Sequence, residues 1–210
     1  MTQWRFDSRI AEIFVDHARQ HIPGYERVIN KSVDFLRRTL EPTDAIIDIG
    51  CATGHTLKKL SVAGFTNLHG VDNSASMLAH VPADLATLTC SNWLPMHPKY
   101  QAVIMNWTLH FVRDKVRYLR DIHTQLEPGG YLILSDKTYN QGTFLDLYHD
   151  YKRSQGVSDQ EVAEKAAAVK DVMFIDDQSW YISTLADLGF CDITIIDADW
   201  CFTSFLARRS

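Results

Sequence analysis

The chain has 210 residues, 46% of them hydrophobic and 22% charged. This composition excludes a disordered or fibrous protein and leaves room for one full α/β domain rather than two. Lys+Arg 21 against Asp+Glu 26 gives a net charge of -5, so a general binder of nucleic-acid backbones is not expected. The opening residues mix charged with apolar side chains, and the longest apolar runs are strand-sized, so neither a signal peptide nor a membrane span is expected. Cys51, Cys90, Cys191 and Cys201 lack CxxC spacing, which favours free thiols in a cytoplasmic protein.

Apolar residues at helical spacing predict a helix over 8–20, ended by Pro23-Gly24, and a second over 27–40, ended by Glu41-Pro42. A buried strand is expected at 45–49, then a glycine loop and a helix through Leu60. Strands follow at 67–71 and 88–90, with a helix beginning at 75–79 between them. A fourth strand is expected at 100–105, a helix at 113–126, and a fifth strand at 131–135 after the turn Glu127-Pro128-Gly129-Gly130. Two helical segments, 143–155 and 158–172, stand where a plain alternation has one crossover. A last helix at 178–188 precedes two β-rich runs, 192–196 and 201–206, separated by Asp197-Ala198-Asp199. Such alternation means an α/β fold with a mostly parallel sheet covered on both faces, and the terminal hairpin adds an antiparallel strand. No repeat or linker divides the chain, so 1–210 reads as one domain, with 1–41 as an N-terminal helical cover and 143–172 as a helical insertion.

The loop Asp48-Ile49-Gly50-Cys51-Ala52-Thr53-Gly54 follows a buried strand, where an open α/β sheet binds its ligand. Small residues at 50, 52 and 54 let the backbone turn tightly and approach a ligand. A dinucleotide fingerprint fails because its third glycine falls on His55, and no Gly-Lys-Ser/Thr follows for a P-loop. Asp48 beside the loop repels a pyrophosphate but suits a cation. S-adenosyl-L-methionine, with a sulfonium and an ammonium against one carboxylate, meets that requirement. Asp72 at the end of the second strand stands where an acid pairs with ribose hydroxyls.

An ordered set of motifs accompanies this loop. It comprises Trp4-Arg5-Phe6-Asp7, the run from Arg9 to Phe14, Pro23-Gly24-Tyr25, Asp72-Asn73-Ser74 and Asn106-Trp107-Thr108-Leu109. Leu134-Ser135-Asp136-Lys137 and His149-Asp150-Tyr151-Lys152-Arg153 complete it. By these residues the chain, from Trp4 to about Leu206, resembles class I S-adenosylmethionine-dependent methyltransferases with their Rossmann-like fold. It is most similar to the branch of carboxy-S-adenosylmethionine synthases that serve a tRNA wobble-uridine modification. The resemblance implies that Tyr25 contacts the cofactor from the cover, and that Gly50, Cys51 and Ala52 line its amino-acid and ribose portion. It further implies Asp72 and Asn73 at the ribose and adenine edge, and Asn106 near the methionine end. Where the family has an Asp for the adenine amino group, this chain has Cys90-Ser91-Asn92-Trp93, so Ser91 or Asn92 takes that place. Homodimers are implied on the same ground.

Two departures bear on chemistry. The arginine with which the synthases grip the extra carboxylate falls on Ala166, and neither Lys165 nor Lys170 offers the planar fork of an arginine. Ordinary methyl transfer to a small-molecule acceptor is therefore expected, with carboxy-S-adenosylmethionine synthesis and a non-catalytic cofactor binder as the alternatives. His110 stands where the family has Gln, just past the Asn106-Trp107 corner, and is a candidate general base, with His149 a second. Trp107, Tyr148 and Tyr151 are candidate acceptor contacts, whereas Phe6 and Phe144 read as core. Arg113, Lys115, Arg117 and Arg120 cluster on one segment, where 113, 117 and 120 share a helical face that reads as solvated, and His17 with His21 lacks the further ligand a metal site needs.

Overall fold

The computed structural model describes residues 8–95, 99–139, 141–170 and 172–210, so Trp4 and Phe6 lie outside the described residues. Helices α1 (Ser8–His21) and α2 (Tyr25–Thr39) come first. The chain then runs through β1 (Ile46–Ile49), α3 (His55–Val62), β2 (Leu68–Asp72), α4 (Ala75–Leu78), β3 (Thr87–Cys90) and β4 (Tyr100–Asn106). A 3-10 turn (Leu109–Phe111) leads to α5 (Lys115–Gln125) and β5 (Leu126–Lys137). Helices α6 (Gly142–Ser154), α7 (Asp159–Val169) and α8 (Gln178–Asp187) precede β6 (Phe190–Asp199) and β7 (Phe202–Arg209). The sheet has seven strands in the order β3-β2-β1-β4-β5-β7-β6. Strands β1 to β5 pair in parallel, and β7 runs antiparallel to both β5 and β6. The expected mostly parallel sheet with one antiparallel C-terminal strand is the observed one.

The central strands are buried on both faces, and the period-2 geometry of a strand sorts their side chains between two cores. Ile47, Ile49, Val103, Met105, Leu132 and Leu134 pack with α5 and α8 through Leu119, Ile122, Tyr181 and Leu185. Their alternates Ile46, Ala102, Ile104 and Ile133 pack on the opposite face against Ile29, Val33 and Leu36 of α2 and Leu57 and Leu60 of α3. Each such aliphatic side chain contributes roughly 1.5–3 kcal/mol on burial. The strand order reverses between β1 and β4, which leaves a crevice beyond their carboxyl ends.

Several boundaries differ from expectation for physical reasons. Strand β5 begins at Leu126, because Leu126 already pairs with Tyr100 before an irregularity carries the ladder to Tyr131 and Ala102. The acidic stretch Asp197-Ala198-Asp199 continues β6 instead of ending it. Asp197 takes a two-pronged contact from Arg27, 2.9 Å at each oxygen, and a third from Lys31 at 2.7 Å. Asp199 takes Arg27 as well, at 2.8 Å. The turn falls instead at Trp200, whose φ is +47°. Lys115, off the face that Arg113, Arg117 and Arg120 share, buries its ammonium 2.6 Å from Asp176. Phe144 is 50% exposed on the first turn of α6, edge-on to Tyr139, and so is not core.

Candidate functional site

The glycine loop crosses the carboxyl end of β1 in a form few side chains permit. Gly50 and Gly54 have φ of +72° and +75°, and Ala52 between them has +47°. The N–H groups of Gly50 and Cys51 both donate to the Val71 carbonyl, at 2.8 and 3.2 Å, pinning the loop across the end of β2. A Cβ on Gly50 would lie 2.1 Å from Thr108 Oγ1, so glycine is required by space as well as by φ. Thr108 Oγ1 donates to the Ile49 carbonyl at 3.4 Å, which ties the loop leaving β4 to the end of β1, and to the Asn106 carbonyl at 3.0 Å.

Two carboxylates face the loop. Asp48 is buried, and burial first, then the charge of Asp72, raises its pKa to about 8. Asp72 accepts hydrogen bonds from Ala52 N at 3.0 Å and Ser74 N at 2.8 Å, while burial pushes its own pKa upward. The Cys51 thiol, buried beside both acids, is held above its usual range by burial and then by their charge. Along the β2–β3 edge Asn73 donates to Asn92 Oδ1 at 2.9 Å, and Ser91 N donates to the Asp72 carbonyl at 3.0 Å. Asp72, Asn73, Ser91 and Asn92, chosen from separate stretches of sequence, therefore share one rim.

Across the crevice, Asn106 ends β4 with its side chain buried. Among the described residues neither its amide nitrogen nor its oxygen has a hydrogen-bond partner. A buried side-chain amide left in this state costs about 1–3 kcal/mol, so a polar ligand group at this corner is favoured. Trp107 follows at φ +53°, and its ring lies 4.9 Å from that of Tyr25, which stacks on His55 at 5.7 Å. Tyr25 is buried at the start of α2, its hydroxyl held above its usual range by burial and then by Asp48. Backbone strain of this kind at Ala52 and Trp107 collects where a ligand is bound. A buried pair of acids, an unsatisfied amide and a loop without side-chain bulk fit a cationic, polar cofactor such as S-adenosyl-L-methionine.

The catalytic and acceptor candidates are placed differently. His110 lies on the 3-10 turn past Thr108, buried, with Nδ1 hydrogen-bonded to Asp136, which also accepts the Tyr181 hydroxyl at 2.6 Å. Its ring is thus anchored to β5 through Asp136. His149 is half-buried on α6, and burial, followed by Lys152 and Lys137, lowers its pKa. Tyr148 and Tyr151 spend their hydroxyls on the scaffold: they donate to the carbonyls of His21 at 2.9 Å and Arg19 at 2.6 Å. These bonds serve the last turn of helix α1, whose carbonyls need donors. The ring of Tyr148 still packs in a cluster with Phe202, Leu145 and Trp107.

Sequence reasoning passed over Asp136 and Tyr181, which complete the network around His110, and gave no role to Lys137 and Lys152. A charged residue among apolar strand positions, as at Asp136 and Lys137, was the available signal. His17 and His21, set aside as metal ligands, stack on each other at 4.0 Å. Among the described residues no helix is long and apolar enough to cross a membrane.

The geometry agrees with the comparisons. A family model described as "Methyltransferase domain" matches residues 16–171, and the chain belongs to that family. Its fold is that of S-adenosylmethionine-dependent methyltransferases. An enzyme of this class from Mesorhizobium loti superposes with a TM-score of 0.62 at 19% identity, over 86% of this chain and 100% of the other. Magnesium protoporphyrin IX methyltransferase from Synechocystis, solved with bound SAH, superposes at 0.65 and 17% identity, over 100% and 90%. Within the class, the chain groups with proteins named carboxy-S-adenosyl-L-methionine synthase. The one from Desulfotalea psychrophila is 32% identical over 98% of this chain and 92% of its own length. That from Alteromonas mediterranea is 29% identical over 99% and 93%.

Proposed function

We propose that this methyltransferase-family protein binds S-adenosyl-L-methionine across the β1–β4 crevice and transfers its methyl group to a small-molecule acceptor. The observation that carries the cofactor half is a pair of buried polar groups on the adjacent strands β1 and β4. Asp48 is a buried acid whose ionisation is resisted until about pH 8, and Asn106 is a buried amide with no hydrogen bond. A cationic amino-acid group satisfies both, and charge-assisted hydrogen bonds of this type contribute about 1.5–3 kcal/mol each. Gly50, Cys51, Ala52 and Gly54 give the backbone close approach, Asp72 and Asn73 take the ribose edge, and Ser91 with Asn92 borders the adenine. Tyr25 covers the cofactor from α2.

When bound, the cofactor supplies the methyl group as a sulfonium; the chain's part is alignment and exclusion of water. Trp107 and Tyr25 supply an aromatic wall between cofactor and acceptor. His110 has Nδ1 committed to Asp136, so Nε2 is the atom left to accept a proton, the tautomer a general base requires. His149, whose pKa is lowered by burial and then by Lys152 and Lys137, is the second candidate.

A second reading is carboxy-S-adenosyl-L-methionine synthesis, favoured by the full-length relatives of that name. Against it stands Ala166, exposed on α7 where the resemblance calls for a carboxylate-binding arginine. Mass spectrometry of the nucleoside released from freshly purified, denatured protein separates the readings. S-adenosylmethionine or S-adenosylhomocysteine is the expected product. The carboxylated form would establish the synthase reading, and a protein that neither carries nor takes up either compound would end both.

A further inference from the structure

Beyond the acidic loop, on the other side of Trp107, the fold gathers positive charge in its interior. Lys137 closes β5 and Lys152 lies on α6, and they are 6% and 4% exposed. Their ammonium groups stand 5.0 and 4.2 Å from the centre of the Tyr148 ring. From α7, Lys165 reaches to 2.5 Å of His17 Nε2 on α1, and His21 and His149 stand near the same lysines. The acids acting on this cluster are Glu161, felt by His17 from an exposed position, and Asp146, felt by His149. Cys201, in the turn before β7, faces Lys137 and Lys152.

Burial, then Lys137, lowers the pKa of Lys152 to about 8, and burial, then Lys152, brings Lys165 to about 7. For Lys152 the partner the structure provides is the Tyr148 ring, without an ion pair among the described residues. A cation–π contact contributes about 0.5–2 kcal/mol, whereas burying an ammonium costs several. The imbalance is removed when an anion reaches the lysine. The position is telling, because Tyr148 shares one apolar cluster with Trp107, and Trp107 leans on Tyr25 at the cofactor corner. Trp107 thus links the ring beneath the lysines to the corner proposed for the cofactor.

We propose that Lys152, backed by Lys137, is the anion-binding half of the acceptor site, and that the acceptor is a small molecule bearing a carboxylate or phosphate. Its body lies along Tyr148 and Trp107 toward the cofactor. This deepens the methyltransferase reading and rests on it.

The test is isothermal titration of succinate, benzoate and inorganic phosphate into full-length protein saturated with S-adenosylhomocysteine. At least one is expected to bind, with carboxylates and phosphate as separate arms that tell which oxyanion the site takes. Lys152→Met is expected to weaken that binding by about tenfold or more, and Lys152→Arg to retain most of it. Without ligand, Lys152→Met is expected to melt at the same temperature or higher, because it removes a buried charge. Absence of binding by all three anions, binding untouched by Lys152→Met, or a lowered melting temperature in that variant would each overturn the anion site while leaving the cofactor reading in place. Failure of S-adenosylhomocysteine itself to bind would bring down both.

Discussion

The two ends of the crevice solve opposite electrostatic problems. At the β1–β2 end, burial pushes both carboxyl groups upward, and the charge of Asp72 adds to it for Asp48, which reaches about 8. At the β5–α6 end, burial and neighbouring lysines push cations downward, to about 8 for Lys152, 7 for Lys165 and 4 for His17. One end is relieved by a cation and the other by an anion. A fold that needed only to be stable would have little reason to bury both, since like charges in a low-dielectric interior cost free energy. The proposed acceptor and cofactor sites give each of them a role.

The largest expected effect is at the loop that sets the acidic end. Gly50→Ala forces a side chain into Thr108 and into positive φ, and is expected to cost about 2–4 kcal/mol of stability and abolish cofactor binding. Adding Thr108→Ala should restore part of the stability, since it removes the clash but not the strained φ; chemical denaturation of the single and double variants measures this. Next in size is Asp48→Asn, expected to weaken S-adenosylhomocysteine binding by about 10- to 100-fold in calorimetry.

The pH dependence of the unliganded protein sharpens the contrast. Folded Asp48 holds its proton to about pH 8 against an ordinary value of 3.8, so its contribution to stability is present at low pH and lost as pH rises between these values. His17 runs the other way: folded, it binds its proton only near pH 4 against 6.5, so stability is lost as pH falls through that window. Melting curves across pH should therefore show a fall on the alkaline side that Asp48→Asn flattens, and a fall on the acid side that His17→Gln flattens. Identical slopes in wild type and variants would contradict this assignment of charges.

Smaller effects belong to the scaffold between the two ends. Tyr181→Phe removes one of the two donors to buried Asp136 and is expected to cost about 1–3 kcal/mol, read from urea unfolding. Tyr148→Phe removes the bond to the His21 carbonyl but keeps the ring under the lysines. About 1 kcal/mol, or roughly 2–4 °C in melting temperature, is expected.

Legibility followed the range of the interaction. The acidic end could be read directly, because Asp48, Gly50, Ala52 and Gly54 lie in one short stretch, and Asp72 follows at the end of the next strand. Asn106 was named through the family resemblance, as the residue near the methionine end. The basic end was opaque. Tyr148 and Tyr151 could be named as acceptor contacts, but not the bonds of their hydroxyls to carbonyls of α1, a helix more than a hundred residues earlier. His110 could be named as a candidate base, but not its partner Asp136 on β5. Phe144 looked like core and is half exposed.

By itself, then, the sequence determined the order of the elements, the parallel sheet and the carboxylate-flanked glycine loop. Those depend on local periodicity, turn chemistry and residues adjacent in the chain. Only the tertiary structure decided that Lys137, Lys152, Lys165, His17 and His21 converge, that Arg27 and Lys31 extend β6 by neutralising Asp197, and that Asn106 is buried without a partner. These are consequences of packing between segments far apart in sequence. Burial and charge pairing are properties of a neighbourhood, and the neighbourhood exists only once the chain has folded.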